Sequence, residues 1–139
     1  MINSRDVKDL HPDVASRCTA FVTECAKQGI DVIITSTYRD MDSQSYLFAS
    51  GRSRPGPIVT NAKPGDSFHN YKVAFDFVPI QHGKAMWDCP ETFKKCGEIA
   101  ESLGLEWAGR WKSFRELAHC QYTNGLTLRD FKEGKHLPD

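Results

Sequence analysis

The segment Val73-Ala74-Phe75-Asp76-Phe77-Val78-Pro79-Ile80 is an apolar run interrupted by a single carboxylate. Its length and its β-branched and aromatic content predict a buried strand, with Pro79 near the end. An ionised side chain in such surroundings is costly unless it is paired or bound to a metal. Whatever the chain folds into, Asp76 needs a partner.

Two other stretches hold the residue types that suit Asp76. Ser67-Phe68-His69 lies just upstream, and Glu116-Leu117-Ala118-His119 lies far downstream. Together they offer two imidazoles, one strand carboxylate and a spare carboxylate. That is the inventory of a catalytic zinc site, with three protein ligands, an open position for water and a general base. A structural zinc more often has four thiolates and imidazoles and no open position. Taken one at a time, the residues have plainer readings: a lone histidine before a strand is usually a satisfied surface or core residue, and Glu116 alone reads as a solvated charge.

Spacing limits how these groups can meet. His69 and Asp76 are seven apart, so one continuous strand would point them to opposite faces. They converge only if the backbone turns between them, at Asn70-Tyr71-Lys72. His119 can join only if its strand neighbours that of Asp76. Glu116 lies three before His119, which is one face of a helix but opposite faces of a strand. A turn leading into the strand would aim both at the metal, with Glu116 as general base.

The rest of the pattern predicts a mixed fold. Val7, Leu10, Val14, Cys18, Phe21, Val22 and Cys25 recur at three and four, an amphipathic helix stopped by Gly29. Ile30 to Thr35 reads as a buried strand. Asp40 caps a second helix ending at Gly51, and Pro90 opens a third that Gly104 stops. Leu105–Trp107 and Leu117–Tyr122 read as short strands, and Thr127 as the cap of a short last helix. Residues 51–66 form a long Pro- and Gly-rich loop, and loops of this length are usually functional. The expectation is an α+β class, one domain over residues 1–139 with a small antiparallel sheet flanked by helices, the zinc site on the sheet, and no separate binding domain.

Composition excludes several functions. With 139 residues, 18 basic and 18 acidic side chains and no net charge, the chain has no electrostatic footprint for nucleic acid. No apolar run approaches a membrane span, and residues 1–10 lack the apolar core of a signal peptide. Five cysteines include no C-x-x-C pair; Cys18, Cys25 and Cys96 read as small buried hydrophobes rather than ligands or disulfides. His11, His82 and His136 fit no motif, with His82 the one spare ligand to consider.

These residues carry a resemblance. The chain resembles the zinc metallopeptidases of the D-alanyl-D-alanine carboxypeptidase and L-alanyl-D-glutamate endopeptidase family, the phage endolysins among them. The family pattern Ser-x-His-x-x-Gly-x-Ala-x-Asp is met by Ser67, His69, Ala74 and Asp76. Its Asp/Glu-x-x-His is met by Glu116 and His119, after the stretch Trp107-Ala108-Gly109-Arg110-Trp111-Lys112-Ser113-Phe114. Ser36-Thr37-Tyr38-Arg39, with Gln44 and Leu47, fits the Tyr-Arg signature. The resemblance spans roughly residues 30 to 122.

It implies zinc ligands at His69, Asp76 and His119 and a catalytic base at Glu116. It also implies that Arg39 grips a substrate carboxylate or polarises its carbonyl, and that Ser67 supports the site. Tyr38 and Trp111 read as substrate contacts or wall. Four positions depart from the pattern: Lys72 stands for Gly, Ala118 for Pro, Cys120 for Phe and Arg110 for Asp.

The implied activity is zinc-dependent hydrolysis of the L-alanyl-D-glutamate bond in peptidoglycan stem peptides, by a monomer. The implied setting is phage lysis: synthesis in the host cytoplasm, then holin-dependent release to the periplasm and wall. The alternatives are a D-alanyl-D-alanine carboxypeptidase, a non-catalytic zinc module of the same fold, and a plain binding protein for wall peptides.

Overall fold

The run of β-branched residues after Gly29 forms β1 (Asp31–Ser36), and the apolar run around Asp76 forms β2 (Ala74–Gln81). The computed structural model describes residues 1–113 and 115–139; Phe114, the end of the Trp-containing stretch, lies outside the described residues. After β2 the chain makes β3 (Lys84–Ala85), β4 (Glu106–Trp107) and β5 (His119–Gln121). The sheet runs β1-β2-β5-β4 with every neighbour antiparallel, and β3 folds back on the far end of β2. This is the α+β arrangement expected from the pattern.

The helices are α1 (Pro12–Lys27), α2 (Met41–Ala49), α3 (Pro90–Ser102) and α4 (Leu128–Lys132). Alternation along β2 sends Phe75 and Phe77 to the face covered by α1 and α3. There Phe21 of α1 meets Phe77 at 4.9 Å and Phe75 at 5.7 Å between ring centroids. Cys18, Cys25, Cys96 and Cys120 lie buried in the same core as free thiols. Cys120 faces away from its neighbour His119 in the pleat, and burial holds its thiol well above the usual range. No helix among the described residues is long and apolar enough to cross a membrane.

Two elements differ from expectation. The first helix does not run unbroken from Val7. A 3-10 turn at Val7–Asp9 precedes it, and His11 is extended at ψ 140°. The cause is Pro12, whose ring disfavours helical backbone in the residue before it; His11 instead caps α1, its Nδ1 accepting from the Asp13 amide. The β2–β3 hairpin was also not foreseen. His82 and Gly83 both have positive φ, the requirement of a tight two-residue hairpin turn. His82 is thereby fixed in an exposed turn, apart from the other histidines.

Trp107 locks the sheet to the segment that carries Glu116. Its indole Nε1 donates to the Leu117 carbonyl at 2.8 Å. The ring packs directly on Gly97 of α3, where a Cβ would lie 2.1 Å from the indole. Gly97→Ala is therefore expected to cost about 1–3 kcal/mol by overpacking, read as a lower urea midpoint. An unchanged midpoint would show that the indole can move without penalty.

Candidate metal centre

Asp76 lies where three elements meet. Its cross-strand partners are Ser36 on one side and His119 on the other. An irregularity in β1 between Ile34 and Ser36 breaks the regular pairing beside the site, as bulges near functional sites often do. His69 arrives by the turn that its spacing demanded. Residues Phe68–Tyr71 form a 3-10 turn that ends at Lys72 in the left-handed region, φ 66°. This is the position where the family has Gly. The strain is on the order of 1 kcal/mol, partly offset because the Lys72 ammonium lies 4.9 Å above the Tyr38 ring.

Hydrogen bonds fix the turn. Ser67 Oγ accepts from the His69 amide at 3.2 Å, and Asn70 Oδ1 accepts from the Gly65 and Ser67 amides. Asn70 also donates to the Arg39 carbonyl, and the Arg39 amide donates to the His69 carbonyl. The segment after β1 and the His69 turn are thus zipped together.

The result is a group of three donor atoms, His69 Nε2, Asp76 Oδ1 and His119 Nδ1, all within 4.8 Å of one another. Each nitrogen lies 3.2 Å from the Asp76 oxygen. The far side of each ring decides what it can offer. His69 Nδ1 lies 2.8 Å from the Thr37 carbonyl, which only accepts, so Nδ1 carries the hydrogen. His119 Nε2 lies 2.8 Å from Gln121 Oε1, so there Nε2 carries it. The remaining nitrogen of each ring then faces one carboxylate oxygen, an arrangement that a proton or a metal cation can complete. Three electron-rich atoms at this spacing call for a cation among them, and two nitrogens with one oxygen suit zinc.

Around this group lies a cavity of about 620 Å³, lined among others by Arg39, Ser67, Trp111 and Glu116, within the size range of small-molecule sites. Glu116 sits in the turn before β5, its Oε2 3.7 Å from His119 Nδ1 and its side chain 60% exposed. Among the described residues its carboxylate has no hydrogen-bonded partner. The Arg39 guanidinium is held by Gln44 Oε1 at 3.0 Å and Ser36 Oγ at 3.3 Å. Burial lowers its pKa against the opposing pull of Asp76 and Glu116. Val59, Thr60, Ala62 and Asp66 of the 51–66 loop border the same cavity.

Tyr38 is not brought to the cavity; its ring supports Lys72 instead. Arg110 pairs with Glu101 of α3 and is turned from the centre. Glu106, Gln121 and the Thr37 carbonyl were missed by the sequence reading. Gln121 was within reach of it, since residues two apart on a strand share a face.

In the metal-free chain Asp76 and His119 shift each other's titration. Burial works against ionisation of Asp76, but the two imidazoles outweigh it and hold the carboxyl well below the usual range. Burial also disfavours the His119 cation, but Asp76 and Gln121 outweigh it and raise its pKa. The depressed carboxyl stabilises the fold above its unfolded pKa near ~4 and loses that as pH falls; the raised imidazole stabilises below ~6.5 and loses that as pH rises. The metal-free chain is therefore expected to gain most from this group between about pH 4 and 6.5. Above that window its Tm should fall while zinc affinity rises, because metal and proton compete for His119. Thermal melts across pH, with chelator and with zinc, check this; a metal-free Tm that climbs from pH 6.5 to 9 would contradict it.

Residues 7–123 match the VanY family, described as D-alanyl-D-alanine carboxypeptidase. The chain is 38% identical over 122 residues to the peptidoglycan L-alanyl-D-glutamate endopeptidase CwlK of Bacillus subtilis (strain 168), covering 81% of this chain and 73% of that one. It is 31% identical over 96 residues to the L-alanyl-D-glutamate peptidase of Listeria phage A118, covering 68% of this chain and 31% of the phage protein. Among solved structures, a mutant of the vancomycin resistance D,D-pentapeptidase VanY from a VanB-type cassette, in complex with Zn(II), superposes with a TM-score of 0.64. It is 14% identical, covers 89% of this chain and 76% of its own, and shares the fold. With the family pattern matched along most of its length and the donor group assembled in its sheet, the chain belongs to the VanY D-alanyl-D-alanine carboxypeptidase family.

Proposed function

We propose that this chain is a zinc-dependent endopeptidase that hydrolyses the L-alanyl-D-glutamate bond of peptidoglycan stem peptides. One observation carries the chemistry. Two imidazole nitrogens and a carboxylate oxygen converge at the edge of a cavity that also holds a free carboxylate and a guanidinium. The choice of bond is supported by CwlK and the phage A118 enzyme, both named for L-alanyl-D-glutamate cleavage.

In this reading His69, Asp76 and His119 hold zinc, which when bound supplies Lewis acidity to the scissile carbonyl and the attacking water. Glu116 takes the proton of that water and delivers it to the leaving amine. Its exposure suits this work, because the carboxylate is not committed to another side chain. Arg39, pinned by Gln44 and Ser36, presents fixed positive charge to a substrate carboxylate. Ser67 holds the His69 turn, and Trp111 walls the cavity. In the cell the enzyme acts as a phage endolysin, reaching the wall after a holin opens the inner membrane.

The test is a synthetic stem peptide incubated with protein of measured zinc content. Cleavage after L-alanine that stops with chelator and returns with zinc supports the reading. Release of terminal D-alanine alone would assign the carboxypeptidase activity of the family name. Stoichiometric zinc with no cleavage would leave a non-catalytic module.

A further inference from the structure

Among the described residues, the cavity around the donor group is lined by the carboxylates of Asp66, Asp76 and Glu116 against the one guanidinium of Arg39. In the proposed reaction Asp76 is a ligand and Glu116 the base; Asp66 has no part in it. Asp66 stands at the end of the 51–66 loop, three residues before His69. Its charge is nevertheless compensated. The Lys132 ammonium of α4 bonds Asp66 Oδ1, and Lys132 itself is not among the lining side chains.

Packing brings Lys132 there. Phe131, the residue before it, is buried, its ring stacked on Tyr71 at 5.3 Å and edge-on to Phe68 at 6.1 Å. Those two residues open and close the turn that carries His69. The Tyr71 hydroxyl donates to the Gly65 carbonyl at 2.7 Å. A Cβ on Gly65 would lie 4.0 Å from Lys132 Cε, so the lysine stem runs beside the residue just before Asp66. Thr127 and Asp130 cap α4 through a reciprocal pair of hydrogen bonds. Lys132 lies beyond residues 7–123, where the family match ends.

We propose that Lys132 is a specificity-determining residue acting through Asp66: by cancelling that charge it lets the cavity accept a substrate with a free carboxylate. A D-glutamyl residue joined onward through one of its carboxyl groups keeps the other ionised. Arg39 can grip that carboxylate, but an uncompensated Asp66 in the same cavity would repel it. With the free carboxyl converted to an amide, the substrate is neutral at that point and the charge of Asp66 matters little. This inference rests on the peptidase reading given under Proposed function. It adds to that reading a preference, kept by Lys132, for the acid over the amide at the D-glutamyl residue.

The experiment uses two synthetic stem peptides that differ only at that group, one with the free D-glutamyl carboxylate and one with its amide. Both kcat and KM are measured for the full chain, Lys132→Met, Lys132→Arg, and Lys132→Met combined with Asp66→Asn. Zinc content and Tm are read on the same samples. Lys132→Met is expected to raise KM for the acid roughly 3–10-fold, the size of one charge interaction across a partly solvated site. Its kcat should stay near wild type, the signature of lost uniform binding, and the amide should be cleaved as before. Lys132→Arg should keep the acid KM, since a guanidinium still pairs with Asp66. Adding Asp66→Asn to Lys132→Met should restore the acid KM, because the repelling charge is gone. The effect on the acid should shrink as salt rises.

Equal losses on the two peptides would make Lys132 a brace for the loop and overturn the inference. So would no loss on either peptide, or an acid KM that Asp66→Asn fails to restore; each of these leaves the peptidase reading standing. Cleavage of neither peptide by the unaltered chain with zinc bound would overturn that reading and this inference with it. The Lys132 side chain is half-exposed, and acid and amide are compared within one variant. A loss of folded protein therefore lowers both rates alike and leaves their ratio unchanged.

Discussion

Glu116→Gln is expected to lower kcat by about 10²–10⁴-fold, the usual contribution of a positioned general base, while zinc content stays at the wild-type level. The substitution keeps the size of the side chain and removes its basicity. Glu116 Oε2 is 3.7 Å from His119 Nδ1, near the donor group but not in hydrogen-bond contact with it. Its side chain is 60% exposed, so the fold does not depend on it. A rate assay on a stem peptide, with metal analysis of the same samples, separates the outcomes. Wild-type turnover would remove Glu116 from the chemistry; loss of zinc together with turnover would make it a ligand instead of a base.

The second large effect concerns the metal and the fold together. Zinc bound to the folded chain at about a thousandfold excess over Kd adds about 4 kcal/mol of stability, or roughly 10–20 °C in Tm for a domain of this size. Asp76→Asn should abolish most of that gain. The amide is a weaker, uncharged donor, and the zinc affinity should fall well beyond the ~10–100-fold typical of residues behind a ligand. The metal-free variant should remain folded, since the carboxylate that needed compensation is gone. Melting curves with and without zinc check this. An undiminished zinc-dependent shift in Asp76→Asn would mean that the metal sits elsewhere.

The two residues behind these predictions were legible in the sequence for different reasons. Asp76 stood out because a charge in an apolar strand demands compensation, and the structure puts two imidazoles 3.2 Å from it. His69 could be tied to it only through a turn, and that turn is present, ending at Lys72 with positive φ. Glu116 and His119 were drawn in by motif spacing, which supplies order along the chain but not direction. Their convergence depends on β5 being short, so that Glu116 stays in the turn before it. The strand expected over Leu117–Tyr122 is observed only over His119–Gln121, and the turn expected before it begins at Glu116.

What remained hidden was the support behind the ligands. The Thr37 carbonyl, Gln121 and Glu106 belong to three different segments, and no local pattern joins them. Their roles come from strand pairing, which puts Glu106 opposite Gln121 and Asp76 opposite His119. The break at Pro12 is a different kind of miss. The apolar period continued through Leu10, which is buried as expected, but the backbone restriction before proline outweighed it.

Mass spectrometry of purified peptidoglycan digested by the protein, with and without chelator, tests the central claim most directly. New L-alanine C-termini paired with new D-glutamate N-termini, absent under chelation and restored by zinc, are the expected result. Digestion that persists at full rate in the chelated, zinc-free protein, or that leaves every L-alanyl-D-glutamate bond intact while the protein holds zinc, would contradict it.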